Sequence, residues 1–562
     1  MSKIRFFALG GLSEYGKNMY VFEIDNNLYI LDAGIKYPSQ ELYGVDEIIP
    51  DYRMLIRAKN RIKGIFLSHA HEDHIGALPH ILKELNVPIY ATKFTMNVLK
   101  DRLVEDKLNL DEYKFNVIHE HSIIKFGNVR ITFFNTTNNI PESIGIAIHT
   151  IQGLTVYTSD FTLDQTSNPI YKTNFKKINE LSEKNVLALL IESVGSSRHI
   201  IGGSRENLEG QLHKTFTNAE SRIIVSLFSS DLYRIQQVID FSVNNKKRIA
   251  IVGRRAQRIV DIAISEGYLK IPKKSLIKLK FVDEKNKNND RDIVAIVIGS
   301  RHEPFYMLQR MCRKQDRLIH IEDNDTVMLL TPPVFGTEKM ASRTLDLLFR
   351  TEAKIIPVNK ELHSYNHASA EELKMMIQLF NPKYIIPIIG EYRHQYGLRK
   401  LSVSLGYSED DVLILENGDA VNFQNEDMFV GKRDIKAGEI LIDGTPIGNT
   451  NDYVMKDREI LAEDGTLLIV AHVNPKQKKI IGEIEIVTKG FVYIQSSEEL
   501  LNQVKEIFEK ISKKHLTSKY INWNDFKREA RNGINRFLYS ETKRKPITIP
   551  VLISVDDNWF FM

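Results

Sequence analysis

The chain has 562 residues, of which 43% are hydrophobic and 26% are charged, and its formal net charge is +4. This composition excludes a wholly disordered chain, and at about 150 residues per domain the length predicts several domains. The single cysteine, Cys312, excludes an internal disulfide framework and a cysteine-rich zinc finger, so a metal site here would consist of His, Asp and Glu. The small net charge neither indicates nor excludes a nucleic-acid partner.

The sequence contains no pattern for secretion or membrane insertion. Residues 1–11 carry Lys3 and Arg5 but lack the sustained apolar core of a signal peptide. No run of about 18 consecutive apolar residues occurs in the chain. We therefore expect a cytoplasmic protein that does not contact a membrane.

The first part of the chain predicts short strands with interleaved helices. A turn signal at 25–27 separates the first two apolar runs, and a helix is expected over 78–85 because its leucines and isoleucine recur at helical spacing. The mixture is typical of a layered α/β fold. The predicted strands cover 18–24, 28–31, 62–67, 129–134, 144–150, 154–157 and 186–191.

The middle and the end of the chain predict longer secondary-structure units than the first part does. Longer βα units follow from 185 to 357 and predict a parallel sheet with its own core. The charged stretch 284–291 is expected to be an exposed loop. A connection of short strands over 424–444 leads to a small α+β unit, whose helix near 501–511 has one apolar face. We expect that face to pack against another subunit.

The strongest functional signal is the loop 68–74, which reads Ser-His-Ala-His-Glu-Asp-His and directly follows a predicted strand. Imidazole and carboxylate groups are ligands that suit Zn²⁺ or Mn²⁺. Such a loop can turn His69 and His71 toward one ion, and Asp73 and His74 toward a second. Two neighbouring ions can activate a water molecule and stabilise a transferring phosphoryl group. The loop therefore predicts a two-metal hydrolase site.

The His-x-His-x-Asp-His order of this loop resembles the signature of the metallo-β-lactamase fold. Residues 32–34 (Asp-Ala-Gly) and the strand-end Asp160 match two further motifs of that fold. The order of motifs over essentially the full length resembles bacterial ribonuclease J, in its second, catalytically degraded paralogue type. The remaining matches are 10–11 (Gly-Gly), 16–19 (Gly-Lys-Asn-Met), 299–300 (Gly-Ser) and 390–393 (Gly-Glu-Tyr-Arg).

The resemblance implies an α/β metallo-β-lactamase αββα sandwich with an inserted β-CASP α/β domain and a small C-terminal α+β domain. It also implies 5′-to-3′ exonuclease and endonuclease activity on RNA. The expected boundaries are 1–205 and 358–425 for the two parts of the lactamase-like domain, 206–357 for the β-CASP domain, 426–452 for a linker and 453–562 for the C-terminal domain.

The resemblance also implies a ligand set, in which His69 and His71 hold one Zn²⁺ or Mn²⁺ ion. Asp73 and His74 hold the other ion, and Asp160 bridges the two. Asp73 and His74, together with His367, are the expected catalytic residues.

Two ligand positions of the family pattern are not filled by histidine in this chain. Asn138 replaces the histidine of a Thr-His-Ser-Ile-Pro pattern, and Ile389 replaces that of an Ile-His-Gly-Glu-Tyr pattern. A neutral amide is a poor donor and a hydrocarbon is none, so we expect weak binding, with one ion or none. His149 and His394 are alternative ligands but lack the family spacing.

The expected substrate site is the loop 363–367, where the family has His-x-Ser-Gly-His. Its members here are His363, Ser364, Tyr365, Asn366 and His367. Glycine allows a backbone to approach a phosphate closely, and Asn adds bulk while still tolerating a positive φ. The grip on an RNA phosphate is therefore expected to be altered, and a polar loop without a ligand is the alternative.

Three further features bear on RNA binding. Ser300 follows a predicted strand and can present a backbone N–H to a phosphate, although the family has Gln-Gly where this chain has Arg301-His302. Glu192 matches an acidic position of the family, and a turn or capping acid is the alternative. Basic clusters at 246–248, 254–255 and 543–545 either follow an RNA backbone or are solvated faces.

These features lead to one functional hypothesis and three rivals. The hypothesis is an RNA-binding partner subunit of an active ribonuclease J paralogue in RNA decay and ribosomal RNA maturation, with weak or no hydrolysis of its own. The rivals are an active metal-dependent ribonuclease, an RNA-binding scaffold without hydrolysis, and a small-molecule lactamase or thioesterase. The inserted domain disfavours the last, and a homodimer is an alternative to the hetero-oligomer.

Overall fold

A computed structural model describes residues 3–38, 42, 44–163, 169–198, 204–253, 257–279, 291–334, 336–357, 366–424, 427–444, 452–491, 497–518 and 520–555. The chain forms two compact units. The first consists of 1–37 with 47–440, and the second of 38–46 with 441–562. The predicted loop 284–291 and the basic pair 254–255 lie almost entirely outside the described residues.

The N-terminal part of the first unit alternates strands with short helices. Its elements are β1 (Ile4–Gly10), β2 (Met19–Ile24), β3 (Asn27–Leu31), β4 (Glu47–Pro50), α1 (Arg53–Arg57), β5 (Ile62–Phe66), α2 (Glu72–Ile75), α3 (Leu78–Ile81), β6 (Ile89–Ala91), α4 (Lys93–Glu105), β7 (Phe115–Val117), β8 (Ile123–Phe126), β9 (Val129–Asn135), β10 (Ile144–Thr150), β11 (Gly153–Tyr157), α5 (Phe175–Ser182) and β12 (Val186–Glu192).

The remaining elements of the first unit are α6 (Ser204–Asn218), β13 (Ile223–Phe228), α7 (Leu232–Asn244), β14 (Arg248–Val252), α8 (Gln257–Ser265), β15 (Leu276–Ile277), β16 (Ile293–Gly299), α9 (Glu303–Cys312), β17 (Thr326–Leu329), α10 (Glu338–Phe349), β18 (Lys354–Ile356), α11 (Ala370–Phe380), β19 (Tyr384–Ile388), α12 (Tyr392–Ser404), β20 (Ala420–Gln424), β21 (Asp427–Gly431) and β22 (Glu439–Ile442), whose last residues belong to the second unit.

Two mixed sheets pack face to face in the first unit. One has the order β21-β20-β1-β2-β3-β5-β6-β7 and the other β19-β12-β11-β10-β9-β8. A single apolar core contains residues from both sheets, and a second core lies between the outer face of the second sheet and helices α5, α11 and α12. This is the expected layered α/β sandwich. The hairpin β2–β3 turns at Asp25 and Asn26, which both have positive φ, as a tight two-residue turn requires.

The inserted region forms its own sheet, as the sequence predicts. Its order is β15-β14-β16-β13-β17-β18, and every neighbouring pair is parallel. β16 is buried along its whole length, which agrees with a central strand covered on both faces.

One predicted helix is shorter than expected. The spacing of apolar residues predicts a helix over 78–85, but α3 ends at Ile81 and turns follow. Leu82 and Leu85 are buried nevertheless, and the Leu85 N–H still donates to the Ile81 carbonyl at 2.8 Å. The periodicity therefore indicated the buried face correctly but not the length of regular helix.

The second unit contains α13 (Asp452–Glu463), β23 (Thr466–Asn474), β24 (Lys479–Lys489), α14 (Glu498–Leu516), α15 (Trp523–Thr542) and β25 (Ile547–Ser554). The sheet order is β24-β23-β25, and α14 and α15 share one apolar core with it. The apolar face of the helix near 501–511 is therefore buried inside its own unit, and the expectation that it contacts another subunit is wrong. None of the helices in the described part of the chain has the length and hydrophobicity that a bilayer-spanning segment requires.

A buried carboxylate links the two sheets of the first unit. Asp32 follows β3, is fully buried, and accepts hydrogen bonds from the Ser68 N–H and hydroxyl, both at 2.8 Å. The Tyr157 hydroxyl, at the end of β11 in the other sheet, donates to the same carboxylate at 2.5 Å. One side chain therefore satisfies donors from both layers.

Replacement of this carboxylate is expected to destabilise the sandwich. In Asp32→Ala the donors of Ser68 and Tyr157 remain buried without an acceptor, at a cost of about 1–3 kcal/mol each. At about 2–4 °C per kcal/mol, the melting temperature should fall by about 10 °C. Hydrogen exchange should accelerate in both 66–75 and 153–157. Asp346→Ala, at an exposed carboxylate on α10, is the control and should change neither. Faster exchange in only one of the two sheets would contradict the proposed link.

Candidate metal centre

The predicted metal ligands lie where neighbouring strands end. β3 and β5 are parallel neighbours in one sheet, and β11, β12 and β19 are parallel neighbours in the other. Parallel strands present their carboxyl ends at one edge of a sheet, so the segments that follow them meet. The residues delivered in this way are Asp32 after β3, 68–74 after β5, Asp160 after β11, Glu192 at the end of β12 and Ile389 after β19.

Within the described part of the chain, the ligand-capable atoms form three overlapping groups, in each of which all atoms lie within 4.8 Å of one another. Asp160 belongs to every group. His69 Nε2 lies 2.9 Å from His71 Nδ1, and His74 Nε2 lies 3.5 Å from one oxygen of Asp73 and one of Asp160. The groups are His69, His71 and Asp160; Asp73, His74 and Asp160; and Asp160, Glu192 and His367.

Each of the three loop histidines is held at the ring nitrogen that faces away from the cluster. Because Asn139 Oδ1 and Asp32 Oδ2 are acceptors, the bonded nitrogens of His71 and His74 donate to them, and the other ring nitrogen of each histidine faces the cluster. This is how metal-binding histidines are oriented in proteins. The contacts are His69 Nδ1 to Ser68 Oγ at 3.0 Å and Ser159 Oγ at 3.3 Å, His71 Nε2 to Asn139 Oδ1 at 3.0 Å, and His74 Nδ1 to Asp32 Oδ2 at 2.8 Å.

The described residues fit a divalent cation. The Oδ1 atom of Asp160 is buried and accepts no hydrogen bond from any residue that the structure describes. Imidazole nitrogens and carboxylate oxygens surround it, and no described lysine or arginine side chain forms an ion pair with it. An orphaned buried carboxylate oxygen is costly unless a cation or a donor approaches it. The cluster therefore indicates a metal-binding site, with His, Asp and Glu as the donor types.

The buried charges shift the pKa values of the cluster in opposite directions. Burial lowers the pKa of His69, and the neighbouring imidazoles lower it further. Burial alone would also lower the pKa of His74, but the carboxylates of Asp73, Asp160 and Asp32 raise it well above its usual value. At His74 the carboxylates thus outweigh burial, whereas at His69 burial and the neighbouring imidazoles act in the same direction.

The Asn138 amide is turned toward the backbone rather than presented as a ligand. Its Oδ1 accepts from the Asn139 N–H at 2.7 Å, and its Nδ2 lies 3.4 Å from the Asp160 carbonyl. The carbonyl-type oxygen, which is the only metal donor of this side chain, is therefore engaged locally.

Ile389 keeps a strained backbone although its side chain cannot bind a metal. Its φ is +49°, a conformation that is an outlier for a β-branched residue. The Ile389 N–H donates to the Gly11 carbonyl at 3.0 Å, and the Ser193 hydroxyl donates to the Ile389 carbonyl at 2.9 Å. The side chain packs in the core between the sheets. Such strain costs about 1–3 kcal/mol and persists because the surroundings hold the main chain.

Neither alternative histidine joins the cluster. Both ring nitrogens of His149 face neighbours on β9, Thr132 Oγ1 at 2.8 Å and Arg130 at 3.2 Å. His394 accepts from the Glu391 N–H through Nδ1 at the start of α12. Neither belongs to a ligand-capable group among the described residues.

Of the predicted substrate residues, only part can be placed. His363, Ser364 and Tyr365 lie outside the described residues, and Asn366 and His367 lie within them. His367 Nδ1 lies 2.7 Å from Glu192 Oε2. Burial lowers the pKa of His367, but Asp160 and Glu192 together raise it to about 9. The Ser300 N–H donates to Glu303 at 2.9 Å, so this amide is already engaged at the start of α9.

Sequence reasoning missed two residues that support the cluster. Asn139 holds His71, and Ser159, with φ +56°, holds His69. Asn139 and Ser159 are polar residues directly next to Asn138 and Asp160, which the sequence predicted as site positions. That adjacency was the available signal. Glu192, which the sequence left open between a site acid and a turn acid, accepts from the Phe161 and Ala368 N–H groups as well as contacting His367.

Comparison with known proteins agrees with this architecture. Residues 12–149 match the metallo-beta-lactamase superfamily, 220–348 the ribonuclease J beta-CASP domain, 355–413 the Zn-dependent metallo-hydrolase RNA specificity domain and 453–555 the ribonuclease J C-terminal domain. A crystal structure of a protein of unknown function from Enterococcus faecalis shares the fold, with a TM-score of 0.52 at 14% identity, covering 75% of this chain and all of the other.

Full-length relatives give the same result. Ribonuclease J 2 of Staphylococcus epidermidis is 36% identical over 552 residues, which cover 98% of each chain. Ribonuclease J2 of Bacillus subtilis is also 36% identical over 552 residues, covering 98% of this chain and 99% of the other. This similarity spans the lactamase-like, inserted and C-terminal parts alike, and the chain belongs to the ribonuclease J family.

Proposed function

We propose that this protein acts in RNA decay and ribosomal RNA maturation mainly as an RNA-binding partner subunit of an active ribonuclease J, and that its own 5′-to-3′ exonuclease and endonuclease activity is weak or absent. The observation that carries the proposal is Ile389. A buried hydrocarbon side chain occupies a backbone position that the family uses for a metal ligand.

The number of ligands that each ion would have supports weak metal binding. His69 and His71 would hold one Zn²⁺ or Mn²⁺ ion, Asp73 and His74 the other, and Asp160 both. Each ion would then have two ligands of its own and a share of the third, whereas zinc sites in proteins usually have about four ligands. Two dications close together repel each other and require negative ligands nearby. We therefore infer one ion or none.

A divalent ion supplies Lewis acidity: it makes water a nucleophile at neutral pH and offsets negative charge on a phosphodiester. The protein would contribute the orientation of these groups and a proton. His367, held by Glu192 and with a pKa raised to about 9, carries a proton at neutral pH and can donate it to a leaving oxygen. Asp73 and His74 are the other proposed catalytic residues, and 363–367 with Ser300 would contact RNA.

An active ribonuclease in its own right is the second candidate. The hydrogen bonds that orient the loop histidines favour this candidate, since Asn139 and Asp32 still hold His71 and His74. Supports of this kind affect metal affinity by about 10–100-fold. A residual activity that depends on one ion is compatible with this arrangement.

The C-terminal sheet supports the partner role. Leu467 and Ile469 face its helices, so alternate residues of β23 and their paired neighbours on β24 and β25 face away from them. Those outward positions are mostly aliphatic. Val487, Ile549 and Ile553 are each about 40% exposed, which is typical of a surface that another chain covers.

The metal content of the tag-free protein tests the weakened site. Elemental mass spectrometry should find about one Zn²⁺ or Mn²⁺ ion per chain or none, because each ion lacks a ligand. Any bound ion and any RNA hydrolysis should disappear with Asp73→Ala, His74→Ala. His149→Ala, a histidine outside the cluster, is the control and should change neither. Two ions per chain together with rapid, chelator-sensitive hydrolysis would establish the second candidate instead.

Restoring the two missing imidazoles should restore the site. In Asn138→His, Ile389→His the second position already has a positive φ, which histidine tolerates better than isoleucine does. We expect an additional bound ion and at least about a tenfold rise in RNA hydrolysis. The double variant Asn138→Gln, Ile389→Gln is the control, because it places polar side chains at both positions without adding an imidazole. If metal content and rate stay unchanged in a folded His variant, the two substitutions are not what limits the site.

The partner role predicts a stable complex with an active ribonuclease J from the same organism. Light scattering on a mixture should show co-elution at the mass of a hetero-oligomer. Val487→Thr, Ile549→Thr should weaken this complex, because both outward side chains lose apolar contact area. Leu461→Ser, at an exposed leucine of α13, is the matched control. Separate elution of the two unmodified proteins, or a homodimer that does not exchange with the paralogue, would contradict the proposed assembly.

A further inference from the structure

The inserted region and the metal-binding loop are joined by a stacked arginine. Arg301 lies in the loop after β16, and its guanidinium carbon is 4.6 Å from the centroid of the Tyr37 ring. Tyr37 lies in the lactamase-like part, a few residues beyond the end of β3. A guanidinium over an aromatic face is attracted by the ring, and more strongly when the pair is shielded from water. Burial and Glu72 raise the pKa of Tyr37 well above its usual value, so the phenol keeps its proton.

Tyr37 also contacts the loop that carries the predicted metal ligands. Its hydroxyl donates to Glu72, which lies between His71 and Asp73 at the start of α2. Glu72 also accepts from Arg102 at 3.4 Å. Two contacts, the stack of Arg301 on Tyr37 and the Tyr37–Glu72 hydrogen bond, therefore connect the inserted region to the backbone that presents a ligand of each ion group.

Arg301 is a feature of this chain rather than of the resembled pattern, which has Gln at this position. It adopts φ +44°, outside the range that side-chain-bearing residues prefer. Glutamine has no charge to interact with the ring quadrupole. The strained arginine and its stack are therefore an addition to the family pattern.

Other contacts keep the inserted region docked without Arg301. Glu266 accepts from Asn97 at 2.9 Å and pairs with Lys93, both on α4. Tyr268 donates to Glu142. A substitution at Arg301 is thus expected to leave the chain folded and to act locally.

We propose that Arg301 is a positioning residue: it fixes the loop 69–75 relative to the inserted region through the Tyr37 ring and the Glu72 carboxylate. Any displacement of the β16–α9 loop, such as RNA binding would cause, is then transmitted to His71 and Asp73. The proposal does not depend on whether the site hydrolyses RNA, because the contacts exist in the protein alone.

Hydrogen exchange on the full-length, metal-free protein tests this link. Arg301→Gln should accelerate exchange in 69–75 by about tenfold, because the stack is lost. Arg301→Lys keeps a cation over the ring and should restore most of the protection. Tyr37→Phe keeps the stack but not the hydroxyl, so it should accelerate exchange in 69–75 and leave 299–303 unchanged. Arg310→Gln, at a second arginine stacked on a tyrosine in the same region, is the control.

Two results would overturn the proposal. In one, Arg301→Gln changes exchange only in 299–312 and leaves 69–75 as in the unmodified protein. In the other, Arg301→Lys behaves like Arg301→Gln, which would mean that a cation over the Tyr37 ring is not what holds the loop. Neither result depends on bound metal or on activity, so failure here is separable from failure of the proposed function.

Discussion

The arrangement depends first on the buried carboxylate of Asp32. It accepts from the Ser68 main chain and side chain in one sheet and from Tyr157 in the other, and it also holds His74. A buried charge is stable only when hydrogen bonds from several sides compensate for lost hydration. Those bonds can form only if the strand ends of both sheets meet. The same interaction that links the two sheets therefore also orients His74, the last of the three loop histidines.

The main chain at the metal-binding cluster is held by hydrogen bonds that do not involve the side chain at position 389. Gly11 and Ser193 hold Ile389 in a positive-φ conformation that does not suit a β-branched residue. Burying an isoleucine side chain contributes about 1.5–3 kcal/mol, and the strain costs about 1–3 kcal/mol. The two terms nearly cancel. An isoleucine at this position therefore changes the stability of the fold little, and the sandwich does not require a histidine there.

The sequence predicted the parts of the structure that depend on local pattern. The order and spacing of His69, His71, Asp73 and His74 indicated the cluster, and the apolar runs located most of the strands. The length of α3 was not predictable, because Leu82 and Leu85 are buried by tertiary packing outside a regular helix. The role of Asn139 was not predictable either, since its hydrogen bond to His71 joins segments that only the fold brings together. The same holds for the stack between Arg301 and Tyr37.

In the proposed function, metal binding and RNA binding are connected by electrostatics at this cluster. The carboxylates of Asp73, Asp160 and Glu192 lie close together and would repel an entering phosphodiester. A divalent ion held by His69, His71, Asp73, His74 and Asp160 would offset that repulsion, and a phosphodiester would bring further negative charge to it. Each ligand would then raise the affinity for the other, and this coupling is reciprocal by thermodynamic necessity. On the proposed function, the replacement of two histidines by Asn138 and Ile389 would therefore favour an ion that binds together with RNA over one that stays in the protein without it.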